Sequence, residues 1–472
     1  MRSIGLSLLM SAPLALPLGA SAQTVQAPAL PSADVRAISG QDRVYTADQS
    51  SNTVTVINPA TNEVLGTIAL GSRRIGNVLG PVDHHQVNVH GLGFSPDGSF
   101  LDVISVSSNA AQVIDTATNA VVKTIYTGRS PHEGFISPDG DELWVAVRGE
   151  DYLQIIDLET EETLARLVTA PGVSKVVFSP DGQHAFANHL FTNELTVIDI
   201  ASREITARIP IPDEAGGSAD LAMAPDGDEV WLGHPNNGKT TVVDARTLEV
   251  KAVLDTGPRT NHPNFVTRDG VEYAYVTVGG LNQTKVFRRT PGTPELVTAI
   301  DNSGAAPHGI WPSPDNTRIY VALQKSDAVD VIDTAANEVV ETLRVGQDPQ
   351  ALVYVAGAVP AGEAGTTNLT RQGLGSRIEN FQVEVRGAAE GATAAASVRA
   401  VEGLEEVDLT AQGLPANATF ILYAQGSETG TETSEVISVT TDERGGVPEA
   451  LAFAKFFGTY DRLVLLPEGQ RP

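Results

Sequence analysis

The sequence predicts an all-β chain, a seven-bladed β-propeller followed by a small C-terminal β-sandwich, and three observations carry that expectation. The phrase HGLGFSPDG, from His90 to Gly98, recurs in recognisable form from His132, Ser174, Ala219, His262 and His308. Its closing residues, Gly98, Gly140, Gly182, Gly227, Gly270 and Asn316, follow one another at intervals of 42, 42, 45, 43 and 46 residues. A period in the forties, with several short alternating runs and a Pro-Asp-Gly turn in each unit, is the pattern of a propeller blade. The seventh unit is split between the two ends of the repeat region: 43–70 supplies three runs without a first one, and 349–355 supplies a first run with nothing after it. Pairing the two halves closes a ring and removes its open edges.

In chain order, residues 1–22 hold one basic residue, Arg2, an apolar stretch, and Ala20-Ser21-Ala22 before Gln23. That reads as a secretory signal and makes the expected location periplasmic or secreted. The apolar run is broken by Pro13 and Pro17, so no membrane span is expected. Residues 23–41 form an N-terminal linker, 42–356 the propeller, 357–377 a linker rich in Ala, Gly, Thr and Pro, and 378–472 the sandwich. The chain of 472 residues has no cysteine, which excludes disulfides and thiolate metal sites. A formal charge of −27 argues against nucleic acid, whose binding needs a basic surface.

Within a unit the four runs are called a, b, c and d, seen most clearly as GFIS, ELWVAV, YLQIID and TLARLVT after Pro131. Their period-two alternation suits strands with two differently packed faces. Proline presets φ in the a-to-b turn and glycine accepts a positive φ there. Several units also match a known family. Val44-Tyr-Thr-Ala47 with Asn52 to Ile57, Val113 to Asn119, and Tyr320 to Leu323 with Val329 to Asp333 resemble the repeat of the YVTN family of bacterial seven-bladed propellers. The resemblance covers about 42–356 and implies the fold; the family's functions are too varied to imply one.

Nine histidines hold the chemical interest. Strands alternate in direction, so the d-to-a and b-to-c connections share one face of the disc. His90, His132, His262 and His308 open strand a, the innermost of each blade, and are expected around the mouth of the central channel with Gln350, Ser174 and Ala219 at the equivalent places. His84, His85 and Asp83 lie in the long connection before Val89. His189 and His234 are expected in b-to-c loops, and only His184 falls on the opposite face. Clustered imidazoles without thiolates suit a divalent metal, copper or zinc, with Glu133 and Asp220 as further ligands or orienting groups. Such a site is expected to release its metal below the ordinary histidine range, ~6.5.

The segment GPVDHH, from Gly80 to His85, resembles an Asp-x-His-His-type segment of the nitrous oxide reductase propeller, in which histidines from many blades hold a multicopper cluster. This chain departs from it in having no cysteine and no strand-a histidine in its fourth and fifth blades. The expected function is therefore an exported binding protein holding a metal ion or small ligand at a His-lined mouth, Gln350, Arg148, Glu133 and Asp220 being the ligand-binding set. Two alternatives share that face. A lactonase- or lyase-like enzyme would use Arg148, Glu133 and Arg259, while an envelope scaffold would bind a protein partner there without chemistry.

Overall fold

The computed structural model describes residues 36–71, 88–388, 391–401, 404–426 and 433–472, and among them it is all strand and turn. The expected signal segment and His84 and His85 lie outside the described residues. Seven four-stranded sheets form the ring. Blade one is Pro349–Val355, Arg43–Asp48, Thr53–Asn58 and Glu63–Ala69. Blades two to seven follow in chain order, with inner strands Val89–Phe94, Pro131–Ile136, Val173–Phe178, Asp220–Met223, Thr260–Arg268 and Pro307–Pro312. Pro349–Val355 pairs antiparallel with Arg43–Asp48, Val355 opposite Arg43 and Leu352 opposite Thr46. The two ends of the repeat region thus complete one blade.

The turns form as their residue types require. Asp97 accepts hydrogen bonds from the Ser95 hydroxyl at 2.6 Å and the Ser99 amide at 3.0 Å, and Gly98 takes φ +74. In the c-to-d turns an aspartate caps two successive amides, as Asp157 does for Glu159 and Thr160, while Asn62, Asn119 and Asn337 take the left-handed conformation. Burial follows position. The inner three strands of a blade are almost wholly buried, whereas the outer strand Thr163–Val168 alternates between exposed and half-buried. Blade-to-blade packing includes edge-on aromatic pairs, Trp144 on Phe178 at 5.5 Å and Trp231 on Phe265 at 5.9 Å.

Residues 378–472 form seven strands in one hydrogen-bonded order. The strand Ile378–Val385 pairs with Thr393–Ala400 through its first part and with Arg462–Pro467 through its last two residues, so it belongs to two half-sheets. Between them lies a core that includes Val398, Leu409, Phe420, Leu422, Phe456 and Leu465. That is the expected sandwich. The linker before it is tied to the propeller: Thr370 exchanges backbone hydrogen bonds with Thr67 at 2.7 and 3.0 Å, and the Asn119 amide reaches the Gly365 and Thr367 carbonyls. A side chain at Gly66 would strike the Thr370 carbonyl, 2.8 Å from the Cβ position, so glycine permits this approach.

The sandwich docks on the face that carries the strand-a histidines. Arg399 donates to both oxygens of Asp327, in a b-to-c loop of blade seven, and to Glu406 at 2.8 Å. Lys325 pairs with Asp408, with Glu449 at 3.0 Å and with Asp348 at 3.5 Å. Farther round, Arg444 donates to the Asn236 carbonyl of blade five at 2.8 Å. The contacts therefore run along the rim from blade five to blade one. Removing one partner of a buried ion pair strands the other charge, so Arg399→Ala is expected to destabilise the chain by about 3–5 kcal/mol and to loosen the sandwich from the ring. Urea unfolding followed by limited proteolysis of the 357–377 segment checks both effects.

Candidate functional site at the channel mouth

The mouth is built by a local irregularity at the start of strand a. In six blades the a–b register slips there, between Val89 and Gly91, Pro131 and Gly134, Val173 and Lys175, Thr260 and Pro263, Pro307 and Ile310, and Pro349 and Leu352. A bulge frees consecutive residues from strict alternation, so the first and second positions of strand a can both serve the channel. Below them the channel is apolar, lined by Leu92, Phe135, Val177, Ile310, Trp311 and Leu352. Phe94 meets Trp311 edge-on at 5.7 Å.

The histidines converge in two pairs. The rings of His90 and His132 lie 4.2 Å apart and those of His262 and His308 4.6 Å apart. Nδ1 of His132 donates to the Ser174 carbonyl at 2.9 Å and Nδ1 of His308 to the Gln350 carbonyl at 3.0 Å. A carbonyl only accepts, so those nitrogens carry the protons and each Nε2 keeps a lone pair. His262 sets its Nδ1 3.0 Å from Asp220. His90 differs: its Nδ1 is buried without a hydrogen-bond partner among the described residues.

Burial is the leading cause of every histidine shift here. It pushes His90 down to about 3 and His308 to about 4, with the Arg148 charge adding to the effect at His90. His132 and His262 are held well below the ordinary range for the same reason. All four rings are therefore neutral at pH 7. The expected acid release near ~6.5 is corrected by this: ring protonation no longer competes there, and loss of a His-bound metal moves toward the depressed folded values.

Sequence reasoning missed Lys175. It occupies the second position of strand a in blade four, where blades three and five carry Glu133 and Asp220, and its ammonium lies 3.3 Å from the first and 3.0 Å from the second. Opposite charges at one repeat position of adjacent blades were the available signal. Burial lowers the Lys175 value, but Asp220 and Glu133 more than offset it and hold the amine charged. Burial, against Lys175, pushes Asp220 up to about 8, and Glu133 also sits above the carboxylate range. One oxygen of Glu133 has no hydrogen-bond partner among the described residues.

Of the remaining expected ligands, Arg148 stands beside the arc, donating to the Ser174 hydroxyl at 2.8 Å, with its Nε unpartnered among the described residues. The Gln350 side-chain amide donates to Gln49 at 2.8 Å, and the Gln350 backbone carbonyl serves the arc through His308. Arg259 lies between blades five and six, where its charge helps keep His308 neutral. His189 and His234 are not loop residues. They end strands His184–His189 and Glu229–His234, wholly buried, with Nδ1 bonded to the Glu194 and Gly217 carbonyls. His184 is exposed at the other end of its strand, as expected.

Among the described residues two sets of ligand atoms gather within 4.8 Å: His90, His132 and Glu133, and Glu133, Asp220 and His262. Lys175 already occupies the second set electrostatically. The first retains open donors.

No family model and no curated protein matches this chain. Among solved structures it is similar to Kuenenia stuttgartiensis hydrazine synthase, at 22% identity and TM-score 0.53, over 69% of this chain and 99% of that one. It is also similar to the periplasmic gluconolactonase PpgL of Pseudomonas aeruginosa, at 21% identity and TM-score 0.53, over 68% and 99%. Dihydro-heme d1 dehydrogenase NirN, in complex with DHE, matches at 15% identity and TM-score 0.50 over 93% of this chain and 83% of that one. The chain is a seven-bladed propeller. At these identities the likeness carries the fold alone.

The unfolded chain takes up protons on histidine near ~6.5, before the folded mouth does. Stability is therefore expected to be full above that value and to fall as pH drops toward 4. Thermal melts between pH 7 and pH 4 test this, and His90→Gln is expected to flatten the decline.

Proposed function

We propose that this chain is an exported binding protein whose channel mouth holds one divalent transition-metal ion, copper or zinc, on His90, His132 and Glu133. The observation that carries this reading is a buried donor set with open valences: two neutral imidazoles 4.2 Å apart, and a His90 Nδ1 and a Glu133 oxygen without partners among the described residues. Neutral imidazole and carboxylate suit both metals, and the Ser174 carbonyl orients His132 as outer partners of ligating histidines do. Lys175 sits where it balances Glu133 and Asp220 in the metal-free protein.

A second reading has its own support. Arg148, with an open Nε, stands near Glu133, a cation and a base of the kind that ester or lactone opening needs, and the similar propeller PpgL is named a gluconolactonase. It requires turnover of a lactone that Arg148→Ala abolishes. A partner-binding envelope scaffold would show neither property.

Calorimetric titration of untagged protein with Zn(II) or Cu(II) at pH 7 separates the readings. Binding with one-to-one stoichiometry is expected, weakened at least tenfold by His90→Ala or His132→Ala and unchanged by His184→Ala. Lys175→Met is expected to tighten binding, because it removes the competing cation. No metal-specific heat in the parent would overturn the metal reading.

A further inference from the structure

One blade breaks the packing rule that the other six obey, and it does so directly behind Glu133. Counted from the histidine position of the repeat, the fourth residue of strand a faces one residue of strand b across the ladder, and in every other blade this pair includes an aromatic ring. Tyr45, Trp144, Phe186, Trp231, Phe265 and Tyr320 supply it. In blade two the pair is Gly93 and Asp102. Asp102 is 0% exposed, and neither of its oxygens has a hydrogen-bond partner among the described residues.

An isolated buried carboxyl is costly, and an apolar side chain would fill the place better. The surroundings are arranged to admit it nonetheless. A Cβ on Gly93 would stand 2.4 Å from an Asp102 oxygen and 2.6 Å from the Gly134 carbonyl, while a Cβ on Gly91 would stand 3.1 Å from Cγ of Glu133. Gly91 and Gly93 thus let strand a of blade two lie directly against the backbone of blade three beside Glu133, with Asp102 on the other side of Gly93. Burial drives Asp102 well above the ordinary carboxylate value, against its own backbone amide, and the nearby Glu133 charge adds to the rise.

We propose that Asp102 is a positioning residue for Glu133, the two carboxyls joined through one buried water that satisfies the open oxygen of each and fixes how Glu133 faces its ligand. This deepens the reading of the mouth as a ligand site. A buried water needs polar partners on more than one side, and the open oxygens of Asp102 and Glu133 supply two. An aromatic ring at this point would seal blade two as it seals the others. The exchange of a ring for a carboxyl sacrifices packing where a structural role alone would keep it.

Infrared spectroscopy reads the link without any metal. The parent is expected to show the carbonyl stretch of a protonated, buried carboxylic acid, lost in Asp102→Asn and shifted in frequency in Glu133→Gln. The second arm is Zn(II) affinity measured against a chromophoric chelator. Asp102→Leu is expected to keep or raise the melting temperature yet weaken Zn(II) binding about tenfold, the lower end of what loss of an outer hydrogen-bond partner costs, while Asp102→Asn restores most of it. A parent that binds no Zn(II) would sink the metal reading while leaving the infrared result to decide this one. A band that ignores Glu133→Gln, or an Asp102→Leu variant with parental Zn(II) affinity, would overturn the proposal.

Discussion

Ring closure is the constraint on which the mouth depends. Pairing of Pro349–Val355 with Arg43–Asp48 joins the two ends of the repeat and holds seven inner strands around one axis. Only then do residues from blades two, three, four, five, six and seven meet at one place, and only then does that place lose its water. Desolvation follows, and it sets the chemistry: it neutralises the four imidazoles and raises Glu133 and Asp220. Without closure the same side chains would be ordinary surface groups.

Charge balance inside the mouth is narrow. Glu133 and Asp220 oppose Lys175, with Arg148 alongside. Lys175 is thus a built-in counter-ion that any arriving cation must displace or tolerate. The docked sandwich adds a second buried charge group over the rim, where Asp327, Asp348, Glu406 and Asp408 are set against Arg399 and Lys325. The two groups are linked, since Asp348 lies within 3.5 Å of both Lys325 and the Gln350 amide, and the Gln350 carbonyl orients His308. The sandwich is part of how the arc is held, not an unrelated appendage.

The fold was legible because the repeat repeats. The Pro-Asp-Gly turns, the alternating runs and the split seventh unit each encode local geometry that no tertiary contact has to supply. The four strand-a histidines were legible for the same reason, since a fixed repeat position maps to a fixed place on the ring. What escaped was information carried by differences between repeats. Lys175 matters only because its neighbours hold Glu133 and Asp220, and Asp102 only because six other blades place an aromatic ring in the pair. His189 and His234 looked like loop residues because strand ends are blurred in sequence; burial of their rings is a tertiary fact. Composition marked 357–377 as a linker, yet could not reveal that Thr370 pairs with Thr67.

The central claim is that the mouth gathers His90, His132 and Glu133 into one open donor set. Anomalous diffraction at the zinc edge, from crystals of the full chain grown with Zn(II) at neutral pH, tests it most directly. The account expects a single strong peak within bonding distance of all three side chains, with Lys175 still on Asp220. A peak only at surface carboxylates, or none at the mouth at full zinc saturation, would contradict it.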